Sequence, residues 1–361
     1  MMLSKIYFKV LAVTVLIIAV YTGVIVFFVA PKIEERTINL EEETGKAHLQ
    51  EIVTVVDTAA RELKSYEQNS IDMHKDELRN ITEVAFKLVE ELYQASQPEA
   101  IKDHIKAQAD AFKEYLLEYY DANRELKSAA DIQTAIMEFI KLYRYDDGTG
   151  YFFINRKTTC LLHPIKASLA GKDLLELKDS DGKYFIKEFA KIAETRKEGF
   201  CSYKWPNPNS KQEEKKLTYI FYFAPFDWII GTGFYLPQVE RQKQKEALDY
   251  VAKLRYGNNE YFYISDYNSV MVSHPTIQGK DMSDARDPEG VLIVPPMVQV
   301  AREKGEGFHS YSWQKLKEEE RLFKKLTFSK HIKGWQWVIG TGIYLDSIDI
   351  EVQRKKAELI K

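Results

Sequence analysis

The C-terminal two thirds of the chain contain an internal repeat. The first copy begins GYFFINRKTTCLLHP at residue 150, and the second begins EYFYISDYNSVMVSHP at residue 260. The following segments pair as GKDLLELKDSDG (171–182) with GKDMSDARDPEG (279–290), and EGFCSYKW (198–205) with EGFHSYSW (306–313). The closing pair is KKLTYIFYFAPFDWIIGTGFYL (215–236) and KKLTFSKHIKGWQWVIGTGIYL (324–345). Because the offset stays between 108 and 111 residues, we expect one structural module to occur twice.

Each copy has the pattern of a small antiparallel sheet. Short runs rich in aromatic and β-branched residues, bounded by turn residues such as Asp147-Gly148 and Pro225-Phe226-Asp227, predict five strands. One helix is expected over 183–196 within the first copy, and another over 238–255 joins the copies. Gly231 and Gly233 interrupt the last strand and indicate either a bulge or a close approach of backbones.

The N-terminus carries an apolar segment. Residues 10–30 contain no charge and are long enough to span a membrane as a helix. A cleaved signal peptide would have a shorter apolar core, of about 7–15 residues, and a small-residue cleavage site, which Pro31 disfavours. Lys5 and Lys9 precede the segment, so the positive-inside rule predicts that residues 1–9 are cytoplasmic and that the rest lies outside. We expect an uncleaved, single-pass anchor in the cell (inner) membrane.

A long helix is predicted after the anchor. Residues 33–95 contain one Gly and no Pro. Apolar residues recur there at helical spacing: Leu49, Ile52, Val53, Val56, Ala60 and Leu63. Pro98 ends this helix, and two shorter helical patterns follow at 101–120 and 131–143, so 31–146 is expected to be helical stalk. Because the apolar stripe is longer than one module can cover, we expect a homodimer.

The motif string resembles a known family. The first copy contains a series of motifs in the order found in the second type of the Cache sensor superfamily: RYDDGTGYFFI, HP, GKDL, KD.DGK, Y.WPNP, KKLTY and W.IGTGFYL. The second copy resembles the same module. The resemblance implies an α+β fold in which each module is a PAS-like, five-stranded antiparallel sheet. The first, membrane-distal module would cover 147–236, and a linker helix with the second, membrane-proximal module would cover 237–345. It also implies a long N-terminal helix beside both modules.

The resemblance further implies a sensing function. Cache modules are ligand-binding portions of chemoreceptors and sensor histidine kinases, and their ligands are small carboxylates, amino acids and amines. Family receptors continue through a second span to an output domain, and 346–361 has the pattern of the start of such an exit helix. We expect the output either in a continuation of the chain or in a separate signalling partner.

The expected ligand site lies in the first module. A small carboxylate requires a cation, hydroxyl donors and an apolar wall. Lys216 offers the charge, Tyr219 and Tyr222 the hydroxyls, and Trp205 the wall, while Lys172 on a loop is a lesser candidate. The alternative is that these are core aromatics with one surface lysine, and strand alternation places the two tyrosines on opposite faces unless a bulge intervenes. The second copy replaces the two tyrosines by Phe328 and His331, which favours the first module.

Two His-Pro pairs end the second strand of each copy. His163 is either a ligand donor or a residue that shapes the turn, whereas for His274 the turn role is favoured. Asp179, Asp181 and Gly182 fail the calcium-loop spacing and indicate a turn that caps a helix. Gly231-Thr232-Gly233 lacks the Lys-Ser/Thr of a phosphate loop.

Other function classes find little support. The net charge is −3, from 51 Lys+Arg and 54 Asp+Glu, which disfavours nucleic acid as a partner. We find no catalytic constellation, metal-ligand spacing or cofactor motif, so no enzyme, metal or cofactor is expected. In the strand order that the resemblance implies, the strands that carry Cys160 and Cys201 lie at opposite edges of the sheet, so the two thiols are expected to stay unpaired. The alternative function is a non-catalytic extracytoplasmic stalk or docking protein that acts through protein–protein contacts.

Overall fold

The computed structural model describes residues 2–257, 259–316 and 318–359. Its N-terminal part is helical: α1 is Met2–Val24, a π-helical turn covers Ile25–Val29, and α2 is Ala30–Ala95. Among the described helices, this N-terminal one contains an exposed apolar window long enough to cross a membrane. The chain divides into two compact units, one made of the helix up to His74 with the C-terminal helix α8, Asp346–Leu359, and the other made of Lys75–Leu345.

The first module consists of helices and one five-stranded sheet. Its helices are α3 (Pro98–Asn123), α4 (Ala129–Leu142) and α5 (Phe185–Thr195), with short 3-10 turns at Ala167–Leu169 and Ala224–Phe226. Its strands are β1 (Phe152–Arg156), β2 (Thr159–Leu162), β3 (Glu198–Pro206), β4 (Glu213–Phe223) and β5 (Trp228–Tyr235). The antiparallel order is β2-β1-β5-β4-β3.

Both faces of the first sheet are covered. Because side chains alternate along a strand, the Leu217, Tyr219 and Phe221 side chains of β4 face α3 and α4 in one core. Ile220 and Tyr222 face α5 and the loop before it in a second core. The odd and even positions of β4 therefore belong to different environments.

The second module repeats this sheet and adds to it. α6 (Leu236–Lys253) leads into β6 (Arg255–Tyr256), β7 (Glu260–Asp266), β8 (Met271–Ser273), α7 (Pro295–Lys304), β9 (Glu306–Lys315), β10 (Glu318–Ile332) and β11 (Trp337–Tyr344). The order is β6-β7-β11-β10-β9, with β8 paired to β7. The predicted tandem α+β fold is thus confirmed, with one strand more than expected. That strand, β6, has only an isolated bridge between Tyr145 and Gly150 as its counterpart in the first module.

The helices that cover the two sheets differ from the expectation. The end of α2 packs on the second sheet through Ala85, Val89 and neighbouring side chains, together with Ala247 and Val251 of α6. The first sheet is covered on the corresponding face by α3 and α4 instead. Among the described core residues, those of α2 therefore belong to the second module, not to both.

Two sequence details of the first sheet have clear structural reasons. A Cβ on Gly231 would meet the ring of Phe153 on the neighbouring strand, and the register of β5 with both neighbours shows no shift. The glycine therefore serves a close approach and not a bulge. Cys160 on β2 and Cys201 on β3 are free, as predicted, and lie on opposite edge strands.

Candidate ligand-binding site

A buried lysine lies at the centre of the first module. Lys216 on β4 is 1% exposed, and its Nζ donates a hydrogen bond to the hydroxyl of Tyr151 at 2.7 Å. The Nζ also lies 4.3 Å from the ring centroid of Tyr151 and 5.1 Å from that of Tyr235. The Lys216 ammonium forms no ion pair with any carboxylate of the described residues. Glu214, two residues away, is bound to Arg241 and Asn207. A buried ammonium without a counter-ion is costly, so this position is suited to an anion from outside the chain.

His163 supplies a neutral donor beside this lysine. Its Nδ1 accepts the backbone N–H of Lys166 at 3.1 Å, which assigns the proton of the neutral ring to Nε2. Burial, and then the positive charges of Lys216 and Lys166, lower the pKa of His163 to about 3. The ring is therefore neutral near pH 7 and lies 5.5 Å, centroid to centroid, from Tyr151.

An aromatic wall completes this group, which we call the first cluster: Tyr151, His163, Tyr203, Trp205, Lys216 and Tyr235. The register pairs Lys216 with Tyr203 on one neighbouring strand and with Tyr235 on the other, so these three side chains share one face. Trp205 lies 6.3 Å from the His163 ring, and the Nζ of Lys166 lies 4.0 Å above the Trp205 ring. A second cation thus covers the wall.

A small cavity adjoins the first cluster. His163, Tyr203 and Trp205 line it together with apolar side chains of α5 and the loop before α5, and its volume is about 20 Å³. That is room for one water molecule. A ligand larger than water does not fit in this cavity as it stands.

The structure brings together three of the six residues singled out by sequence. His163, Trp205 and Lys216 belong to the first cluster. Tyr219 faces the opposite core, where it packs on Phe200 and where burial raises its pKa to about 12. Tyr222 shares the face of Lys216 but lies six residues along the strand, about 20 Å away, with the Nζ of Lys197 over its ring. Lys172 is exposed on its loop.

Four residues near the site were missed by sequence reasoning: Tyr151, Lys166, Tyr203 and Tyr235. The three tyrosines had a usable signal, because each recurs at the matching position of the second copy, as Tyr261, Tyr311 and Tyr344. Lys166 had no such signal, because Ile277 takes its place.

Asp179 binds the loop before α5, which covers the cavity, to strand β3. Its carboxylate accepts the backbone N–H groups of Asp181, Lys183 and Lys204 at 2.8–3.0 Å. Burial alone would raise its pKa, but these three donors outweigh it and the pKa is lowered. The turn interpretation is confirmed, whereas the predicted helix cap is wrong: the residue at the N-cap of α5 is Tyr184, which makes no side-chain cap. In the described part of the chain, His, Cys, Asp and Glu side chains form no group of three suited to a metal ion.

Comparisons with known proteins identify relatives of this chain. A family model described as a Cache domain matches residues 55–349. The chemotaxis protein McpP of Pseudomonas putida, named a methyl-accepting chemotaxis protein, is 35% identical over 115 residues, which are 31% of this chain and 21% of that protein. The sensor histidine kinase MctS of Rhizobium johnstonii is 34% identical over 112 residues, 30% of this chain and 24% of that protein. The chain thus matches only about a fifth to a quarter of the length of these relatives.

A solved structure titled as a periplasmic sensor domain of a chemotaxis protein is also similar. It is 31% identical and covers 37% of this chain and 93% of its own, with a TM-score of 0.35.

Proposed function

Because this chain belongs to the Cache domain family, we propose that it is a non-catalytic, membrane-anchored extracytoplasmic sensor whose first module binds a small carboxylate. Chemotaxis receptors and a sensor histidine kinase are among its relatives, which supports a role in signal transduction. The proposed topology places the N-terminus in the cytoplasm, with α1 as the anchor and the modules in the periplasm or outside the cell.

The buried ammonium of Lys216 is the observation that carries this proposal. It shares one face of the sheet with hydroxyl and imidazole donors, and no described carboxylate neutralises it. A carboxylate has two oxygens with about four acceptor sites. Lys216 Nζ, the Tyr151 hydroxyl and the Nε2–H of His163 are three donors that match these acceptor sites, and aromatic side chains exclude water around them.

The size of the cavity supports a small ligand and suggests how binding is signalled. Because Lys216 is buried and the adjoining cavity holds only about 20 Å³, we propose that the ligand displaces the loop between β2 and α5. That loop is held to the edge strand β3 by Asp179. Its displacement would pull on β3, and we propose this movement as the first step of the response.

The test is a ligand panel on the full chain in detergent micelles or lipid nanodiscs. Acetate, propionate, lactate, pyruvate, succinate and amino acids are screened by thermal shift, and positive compounds are titrated by calorimetry. Lys216→Met should weaken carboxylate binding roughly 10- to 150-fold, because a charge-assisted hydrogen bond contributes about 1.5–3 kcal/mol. The neighbouring Lys215 is exposed, so Lys215→Met is the matched control and should bind as the unmodified chain does.

Three outcomes would count against the proposal. Equal losses in both variants would exclude a specific role for the buried lysine. Binding of amines alone would exclude a carboxylate while keeping a sensor. If no small molecule binds, the chain would be better described as a stalk that acts through protein contacts.

A further inference from the structure

The second module contains the same constellation of side chains. At the positions that match the first cluster it has Tyr261, His274, Tyr311, Trp313, Lys325 and Tyr344, which we call the second cluster. The register is also the same, because Lys325 pairs with Tyr344 on one neighbouring strand and with Tyr311 on the other. All six residue types are retained although much of the surrounding sequence differs.

Lys325 is the less satisfied of the two buried lysines. It is 0% exposed, and its Nζ has no hydrogen-bond partner among the residues that the structure describes. The rings of Tyr261 and Tyr344 lie 4.2 and 4.8 Å from that nitrogen, so cation–π attraction is its local compensation. Burial lowers the pKa of Lys325 to about 8, and the negative charge of Glu260 opposes this shift. A buried ammonium that makes no hydrogen bond is a substantial cost to the fold.

Two donors are arranged beside this ammonium. His274 Nδ1 accepts the backbone N–H groups of Thr276 and Ile277 at 3.1 and 3.3 Å, so Nε2 carries the proton of the neutral ring. That Nε2 lies 3.2 Å from the hydroxyl of Tyr261, which accepts its hydrogen bond and keeps its own proton for another acceptor. The shaping of the exit turn expected for His274 is thus observed, together with a role in orienting Tyr261.

The two tyrosines that the second copy lacks do not belong to this cluster. Tyr219 is replaced by Phe328 and Tyr222 by His331. Phe328 belongs to the core on the opposite face of the second sheet, and His331 lies six residues along β10 from Lys325. Two differences are relevant: Ile277 in place of Lys166 removes the second cation, and Glu260 in place of Gly150 adds a carboxylate whose charge attracts Lys325.

We propose that the second cluster is a second binding site for a small monocarboxylate, held by the Lys325 ammonium and the Tyr261 hydroxyl. The charge of the ligand neutralises Lys325, and the tyrosine donates to the same carboxylate. Because Tyr261, Tyr311 and Tyr344 are all buried, the ligand proposed here is no larger than acetate, propionate or pyruvate, and its entry requires the surrounding side chains to move. With one cation instead of two, this site binds more weakly than the first. It stands independently of the first-module proposal, because it rests on residues of the second module alone.

The experiment isolates the second site in the full chain. Thermal shift and calorimetry with acetate, propionate, pyruvate and lactate, each against equal chloride, are performed on Lys216→Met and on Lys216→Met/Lys325→Met. Lys216→Met/Lys324→Met is the matched control, because Lys324 is the exposed neighbour of Lys325. At least one carboxylate should still bind Lys216→Met, the Lys325 change should weaken it at least tenfold, and the Lys324 change should leave it unaltered.

A second, more conservative variant controls for misfolding. Tyr261→Phe in the Lys216→Met background removes only a hydroxyl, and its loss should weaken binding about 2- to 10-fold. The proposal is overturned if no carboxylate stabilises Lys216→Met more than it stabilises the double variant with Lys325→Met, or if Tyr261→Phe binds as tightly as its parent. Failure of the first site is read separately, from the comparison of the unmodified chain with Lys216→Met.

Discussion

The neutral state of His163 predicts a specific loss of stability in acid. The unfolded chain has a histidine pKa of about 6.5, whereas burial and the charges of Lys216 and Lys166 lower the folded pKa to about 3. Below pH 6.5 the unfolded state therefore binds a proton that the folded state does not. The contribution of His163 is fully present above pH 6.5 and is lost as the pH falls toward 3.

The size of this loss follows from the two pKa values. Each pH unit below 6.5 lowers the free energy of unfolding by up to about 1.4 kcal/mol, which gives about 3 kcal/mol between pH 7 and pH 4.5. The change that removes it is His163→Gln, since the amide does not titrate. The difference in unfolding free energy between the unmodified chain and this variant should shift by about 3 kcal/mol over that range.

Urea unfolding followed by tryptophan fluorescence is a suitable assay. All five tryptophans lie between residues 205 and 337, so the signal reports on the two modules and not on the N-terminal helix. His48 is exposed on α2, so His48→Gln is the matched control and should follow the unmodified chain at every pH. Parallel curves for His163→Gln and the unmodified chain from pH 7 to pH 4.5 would refute the buried, neutral imidazole and with it the proposed donor set.

Four further predictions concern other parts of the chain. Lys216→Met should raise the midpoint of thermal unfolding while it weakens carboxylate binding to the first module, because it removes a buried charge that has no counter-ion among the described residues; a large loss of stability would indicate a structural lysine. Gly231→Ala should destabilise the sheet by about 1–3 kcal/mol in urea unfolding, because the added methyl meets a ring on β1, and a neutral result would contradict the close approach. Cys160 and Cys201 should titrate as two free thiols only after unfolding, since burial raises their pKa values to about 11 and 12; rapid labelling of the native protein would be unexpected. We also propose a homodimer through the exposed apolar stripe of α2, so that Leu49→Glu should weaken association in sedimentation of the detergent-solubilised chain, and a monomer before the change would exclude it.

The repeat made the architecture predictable. Ordered aromatic runs with turn residues between them predict two antiparallel sheets, and the resemblance supplied the strand order that separates Cys160 from Cys201. The two-residue strand β6 was not predictable, because Arg255–Tyr256 pairs with β7 through backbone hydrogen bonds that carry no side-chain pattern. Which sheet α2 covers was also beyond the sequence, since α2 and α3 both present apolar stripes and the pairing depends on tertiary packing.

The site was predictable in part, for a physical reason. Lys216 and His163 could be singled out because the residue type alone shows that a side chain is charged or titratable. Alternation along β4 already separates Tyr219 from Tyr222, and the structure places them in different cores. The most informative pattern was the retention of three tyrosines in both copies, because side chains that border a buried lysine cannot change freely. Lys166 approaches Trp205 only through the path of a loop, which no local pattern reveals.

In the proposed complex, the ammonium of Lys216 holds the carboxylate of the ligand. A crystal structure of the protein with the carboxylate of the panel that binds most tightly would locate this contact. We expect a carboxylate oxygen about 2.7–2.9 Å from Lys216 Nζ, the usual length of a charge-assisted hydrogen bond, with the loop between β2 and α5 moved outward. A ligand bound on the Tyr219 face, or in the second module alone, would contradict it.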